Sequence, residues 1–320
     1  MGPTRSSEIA RKWNSKIGAT LNKTQKYSEA VEHHHKVYPV KDGDCRARNA
    51  GKFRCMASKQ MVGILVSVWV RDDLLQHISN PSVSCVGCGI MGCLKNKGSV
   101  AVRFCLHEES FCFVCCHLAS GGEEGDERRR NLNAADILSR TWFSGDGLPN
   151  KILDHNQVVL FGDLNYRISF PDTKIRSLVE QKEWNILLDK DQLRFEVFER
   201  RAFEGWKEGE ITFPPTYKYH PSSDEYCWFI SGRKGQKPRS PAWCDRILWV
   251  GEGLKQNWYD RCELKLSDHR PVRAAFTVEV DAGEFLNSST SPHRIDDVVD
   301  SFDLLSNESV AKVIMKVHQV

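Results

Sequence analysis

The strongest constraint on the fold is a set of short apolar runs, rich in β-branched and aromatic residues, each bounded by polar residues. Residues 61–70 form a nearly continuous run of the kind buried on both faces of a sheet. Residues 99–106 and 111–118 follow, separated by His107-Glu108-Glu109-Ser110, and read as a hairpin. Further strands are predicted at 158–161, 247–250 and 272–280. Helical periodicity occupies 123–143, 173–188 and 192–203. Strands interspersed with helices and long loops predict an α+β domain whose function is carried on loops at strand ends.

The 320 residues, 40% of them hydrophobic, suffice for one substantial core. Three segments are expected. Residues 1–60 hold 13 Lys/Arg against 5 Asp/Glu with little apolar periodicity, and read as a basic, poorly ordered arm that could touch an acidic membrane surface or merely stay solvated. Residues 61–280 form the folded domain. Residues 281–320, with seven Asp/Glu against three Lys/Arg, form an acidic tail, helical or disordered, with no assigned chemistry. No apolar stretch reaches the roughly 20 residues of a membrane helix, and charges replace the apolar region of a signal peptide. A cytoplasmic protein is expected, with peripheral membrane contact left open.

Twelve cysteines raise a metal reading, because Cys85, Cys88 and Cys93, and then Cys105, Cys112, Cys115, Cys116 and His117, lie close in sequence. Most of the second group falls inside apolar runs, where a thiol behaves as a small hydrophobe. Reduced core thiols are therefore expected rather than zinc.

Polar clusters sit at the strand ends. Gly162-Asp163-Leu164-Asn165 follows the run at 158–161 and places a carboxylate and an amide on one side; an Asp/Asn turn is the plainer alternative. Trp243-Cys244-Asp245-Arg246 leads into 247–250, where Asp245 and Arg246 suit either a buried ion network or a site. Ser267-Asp268-His269-Arg270 precedes the last run. Its neighbouring side chains diverge in an extended strand, so Asp163 or another carboxylate could orient His269. His117 ends a strand beside Ala119-Ser120-Gly121-Gly122, and Asn96-Lys97-Gly98 closes a glycine-rich loop that lacks the ending of a nucleotide P-loop. Pro215-Thr216-Tyr217-Lys218-Tyr219 and the loop from Gly232 to Arg239 add cations suited to a polyanion, or simply solvated.

In this order, the segments Leu160 to Arg167 and Pro241 to Leu248 resemble the two signature stretches of the inositol polyphosphate 5-phosphatase family, most closely its plant type I members. The resemblance runs from about Met61 to Phe276. It implies a two-sheet β-sandwich flanked by helices, as in endonuclease/exonuclease/phosphatase proteins. The implied activity is magnesium-dependent hydrolysis of the 5-phosphate of inositol polyphosphates or phosphoinositides, such as inositol 1,4,5-trisphosphate or phosphatidylinositol 4,5-bisphosphate. By that resemblance His117, Asp163, Asn165, Asp268 and His269 are catalytic, with both histidines on the scissile phosphate, Asp268 supporting His269 and Asp163 orienting water. Arg167, Tyr217, Lys218, Lys237 and Arg239 bind substrate, the last four at the 4-phosphate, while Asn96, Asp245 and Arg246 support the site. A nucleic-acid partner is not expected. Nothing in residues 1–60 matches the family's opening Trp-Asn strand and Gln-Glu segment, so the first strand and the metal-binding glutamate are expected to be missing and activity impaired, a non-catalytic phosphoinositide-binding fragment being the alternative.

Overall fold

A computed structural model describes residues 5–23, 52–89, 97–145, 147–228 and 239–280, together with the backbone of 310–316. The elements are α1 (Arg5–Leu21), β1 (Phe53–Met61), β2 (Ile64–Arg71), β3 (Ile78–Gly87), β4 (Gly98–Leu106), β5 (Glu109–His117), α2 (Asp126–Arg140), β6 (Gln157–Asp163), α3 (Asp172–Glu180), α4 (Trp184–Leu188), α5 (Gln192–Phe198), β7 (Lys207–Glu208), β8 (Asp245–Val250), β9 (Lys255–Arg261), β10 (Val272–Glu279) and β11 (Val310–Lys316).

The central layer is a six-stranded sheet in the order β3-β4-β5-β6-β8-β7. Its pairs are antiparallel except β5 with β6, which run parallel and are joined by a crossover through α2. The two faces of the sheet explain the continuous apolar runs. Phe111 and Phe113 enter one core with Phe104, Val159, Ile247 and Trp249, while Cys112, Val114 and Cys116 enter another with Val158 and Leu160. The first face is covered by β9 and β10 through Tyr259, Val272, Ala274 and Phe276, and by β1 and β2 through Met61, Ile64 and Val66. The second is covered by α2 and α5 through Ala134, Ile137 and Leu193. The result is an α+β sandwich, its second β layer formed by the pair β1-β2 and the sheet β11-β10-β9.

Several expectations change. The basic segment up to residue 60 is not an arm throughout: it contains α1 and β1. Gly18 of α1 abuts the Trp69 ring, and Asn22 exchanges hydrogen bonds with the Phe53 backbone, so the helix is fixed by contacts that periodicity does not show. The run 61–70 is not one strand, because Val62 and Gly63 turn the chain between β1 and β2. The helix expected over 173–188 is two, α3 and α4. In the tail, Val310–Lys316 pairs antiparallel with β10, where helix or disorder was expected. The expected turn at 107–110 closes tightly, with Leu106 opposite Glu109 and His107 at φ 52°. No helix among the described residues is long and apolar enough to cross a membrane.

Candidate active site

Strand register brings the polar strand ends together. His117 pairs with Asp163 across β5 and β6, and Asp163 with Asp245 across β6 and β8, so three of the expected site residues stand side by side at one edge of the sheet. Gly98 pairs with His117 across β4 and β5, which places Lys97, one residue earlier, at the same edge. Two glycines permit this. Gly162 has φ 129°, and a Cβ there would lie 2.1 Å from the Cys116 carbonyl oxygen; Gly98 has φ 142° and would strike the Val86 carbonyl oxygen at 1.9 Å. His269 arrives from the opposite layer, held by a bridge to Tyr217 and a ring contact with it at 4.6 Å.

A cleft of about 280 Å³ opens here, lined by Lys97, His117, Ser120, Asp163, Asn165, Tyr217, Lys218, Arg239, Asp268 and His269. Asp163 is 4% exposed. Its Oδ1 accepts from the Asn165 backbone N–H at 3.0 Å, and its Oδ2 lies 3.1 Å from His117 Nε2. Burial pushes this carboxyl up, but the His117 hydrogen bond and the positive charges of His269 and Lys97 outweigh it and hold it below the usual carboxylate range. Asn165 takes the left-handed conformation at φ 60°, which asparagine tolerates. Its amide donates to the Leu118 carbonyl at 3.2 Å and accepts from Arg167 Nη2 at 2.8 Å.

His269 Nδ1 pairs with Asp245 Oδ2 at 2.8 Å. Burial alone would lower its pKa, yet Asp245, with Asp163 and Asp268 beyond it, raises it to about 9, so the ring is an imidazolium at neutral pH with Nε2 left to donate. Asp245 is itself pushed upward by burial and by nearby Asp163. The carboxylate supporting His269 is thus Asp245, in place of the expected Asp268. Asp268 instead accepts from Lys218 Nζ at 2.7 Å, because adjacent side chains on an extended segment diverge.

The other expected residues divide. Tyr217, Lys218 and Arg239 line the cleft, with Arg239 Nη1 donating to Tyr217 Oη at 3.2 Å. Arg167 does not line it: the guanidinium stacks on the Tyr217 ring at 4.6 Å and holds Asn165. Arg246 is fully buried, forked between Asp191 at 2.9 Å and Glu208 at 2.6 Å, and supports the sheet beneath the site. Asn96 and Lys237 lie outside the described residues. No sequence motif marks Lys97 and Ser120 as ligands, although hairpin register counted outward from His107 puts Lys97 beside His117. Its ammonium contacts His117 Nε2, which serves either Lys97 as acceptor or Asp163 as donor. Burial, reinforced by Arg167 and Arg239, lowers the Lys97 pKa.

The cysteines near the site are thiols packed in the core. Burial pushes Cys112, Cys115 and Cys116 upward, Cys115 to about 12, which keeps the protonated form. Among the described residues, the group close enough to share an ion is Asp163, Asp245 and His269, with ligand atoms within 4.8 Å of one another. These donors do not by themselves fit magnesium. Each carboxylate already pairs with an imidazole, the third group is a charged ring, and the Lys97 ammonium stands beside His117, whereas Mg²⁺ requires oxygen ligands in near-ideal octahedral geometry.

Residues 4–275 match the family model described as Endonuclease/Exonuclease/phosphatase family 2. The chain belongs to this family. Within it, the chain is 55% identical over 282 residues to type IV inositol polyphosphate 5-phosphatase 9 of Arabidopsis thaliana, covering 86% of this chain and 65% of the relative. It is 47% identical over 297 residues to type I inositol polyphosphate 5-phosphatase 8 of the same plant, covering 88% and 62%. The chain therefore spans less than two thirds of the length of these relatives. Among solved structures it is similar to the inositol polyphosphate 5-phosphatase domain of SPsynaptojanin in complex with inositol (1,4)-bisphosphate and calcium ion, with a TM-score of 0.66 and 30% identity, covering 83% of this chain and 68% of that one.

Proposed function

We propose that the chain binds inositol polyphosphates phosphorylated at positions 4 and 5, or the corresponding lipid headgroups, and hydrolyses the 5-phosphate. One observation carries this reading: Lys97, His117, Lys218, Arg239 and the His269 imidazolium converge on a single small cleft that also holds Asp163 and Asn165. Cations at close quarters suit a compact polyphosphate. The scissile phosphate sits between His117 and His269, and Lys218 and Arg239 take the neighbouring phosphate. Asp163, kept ionised, orients a water in line with phosphorus; the water oxygen bonds to phosphorus as the bond to the ring oxygen breaks, a proton passing from the attacking water to solvent and another from solvent to the leaving oxygen. Asn165 and the imidazolium stabilise the charge on the transferring group. The products are inorganic phosphate and an inositol hydroxyl. The protein is proposed to act in the cytoplasm.

A second reading, binding without turnover, is favoured by the commitment of Asp163 and Asp245 to histidines, which leaves the described residues without a magnesium cage. Phosphate release from inositol 1,4,5-trisphosphate, with and without Mg²⁺, alongside calorimetric binding of the same compound, separates the two. Release at enzymatic rates supports hydrolysis, binding without release supports the second reading, and absence of both overturns the proposal.

A further inference from the structure

Arg167 grips the Asn165 side of the cleft from behind. Its backbone is tied to α5 in both directions: the Arg167 N–H donates to Gln192 Oε1 at 2.8 Å, and the Gln192 N–H donates to the Arg167 carbonyl at 2.8 Å. Leu164 and Tyr166, on either side of Asn165, are fully buried in the core, so the segment leaving β6 has little freedom. From this fixed backbone the Arg167 side chain turns back onto Asn165. Nε donates to the Asn165 carbonyl at 3.2 Å and Nη2 to its Oδ1 at 2.8 Å, while the guanidinium sits over the Tyr217 ring at 4.6 Å.

An asparagine amide has an acceptor and a pair of donors in almost the same outline, so its neighbours decide which end faces the cleft. A guanidinium only donates, and therefore meets Oδ1. The Leu118 carbonyl only accepts, and takes one N–H of Nδ2 at 3.2 Å. Both partners require the same orientation. Asn165 lines the cleft, and with Oδ1 turned to Arg167 the group it has left to offer an anion is the second N–H of Nδ2. Reversed, the amide would set an acceptor there and repel a phosphate oxygen. Arg167 does not line the cleft, so the path from its guanidinium to a ligand runs through Asn165.

We infer that Arg167 is a positioning residue: it holds the Asn165 amide as a donor toward a bound phosphoryl group and makes no contact with the ligand itself, an assignment that rests on the reading of the cleft as an inositol phosphate site. This differs from the substrate-binding role expected from the sequence resemblance. Lysine cannot take its place, because one ammonium cannot fork across the Asn165 carbonyl and Oδ1 while covering an aromatic ring.

The test is a double-substitution cycle on the full chain: Arg167→Lys, Asn165→Ala and the two together. Lysine keeps the charge, so a loss on that substitution is not a loss of field. Arg167→Met repeats the cycle should the lysine variant fail to fold. Two quantities are measured: calorimetric affinity for inositol 1,4,5-trisphosphate, and the nitrogen-15 side-chain amide signals of Asn165, identified by their loss in Asn165→Ala. The expected result is an affinity about tenfold lower for Arg167→Lys alone, a further loss of about twofold or less once Asn165 is alanine, and Asn165 amide signals displaced by Arg167→Lys. Losses that multiply in the double variant overturn the inference by showing that Arg167 meets the ligand directly. Full affinity in Arg167→Lys, or unmoved Asn165 signals, also overturns it. Amide signals that depend on Arg167 in a chain that binds no trisphosphate support the positioning while overturning the cleft reading.

Discussion

Asp245→Asn isolates the electrostatic support of His269. Asparagine retains the shape and an acceptor for Nδ1–H, so the ring keeps its position while the negative charge 2.8 Å away disappears. Burial then dominates, because the His269 side chain is only 17% exposed, with Asp163 and Asp268 left as weaker supports. From a pKa of about 9, a fall of about 2 units is expected, worth ~3 kcal/mol of differential stabilisation of the imidazolium. At pH 7.5 the protonated fraction drops from nearly complete to roughly a quarter or less, and binding of inositol 1,4,5-trisphosphate should weaken about four- to tenfold. At pH 5.5 both proteins hold a largely protonated ring, so the affinity ratio should return toward unity. The assay is a histidine-selective NMR titration with parallel calorimetry at the two pH values. An unchanged titration midpoint refutes the role assigned to Asp245, and a defect that persists at pH 5.5 shows that the residue acts through geometry instead.

Three more outcomes follow from the same geometry. His269 has a pKa raised above its unfolded value, so its stabilising contribution is fully present below about pH 6.5 and is lost as pH rises through about 9; His269→Gln should flatten the alkaline decline of the thermal midpoint. Arg246→Ala strands Asp191 and Glu208 in the interior and should cost about 3–5 kcal/mol in urea unfolding; a loss under 1 kcal/mol contradicts the buried fork. Lys218→Ala removes a cleft cation, paired with Asp268, that is proposed to take the 4-phosphate, and should weaken a 4,5-bisphosphorylated inositol by roughly tenfold or more while sparing a 5-monophosphate; equal losses for both compounds contradict a separate 4-phosphate subsite.

The strand ends were legible because their apolar runs and polar punctuation are local. Gly162-Asp163-Leu164-Asn165 and Trp243-Cys244-Asp245-Arg246 were both located at strand ends, and β6 and β8 indeed end and begin there. What pairs with what across strands is not local. The Asp245–His269 pair spans 24 residues and two layers; the divergence of neighbouring side chains in Ser267-Asp268-His269 points to a carboxylate from elsewhere, but nothing in the segment singles out Asp245. Arg246 shows the same limit: its place in the motif allowed either a site or a buried network, and Asp191 and Glu208, far apart in sequence, decide for the network. Strands β3 and β9 carry no apolar signature because polar residues interrupt them; each is half-exposed, so neither has the continuous apolar pattern of β4 or β5. The helix α1 was hidden by its charges, since its attachment depends on Gly18 meeting Trp69.

A phosphate-release assay on inositol 1,4,5-trisphosphate, comparing the chain with Asp163→Asn, bears hardest on the assignment. Asn keeps the shape but removes the carboxylate proposed to orient water, so release should fall at least a hundredfold. Binding of the trisphosphate, measured in parallel, should stay within a few-fold of the unsubstituted chain. Equal release by the two proteins would contradict the role of Asp163 and with it the hydrolytic cleft.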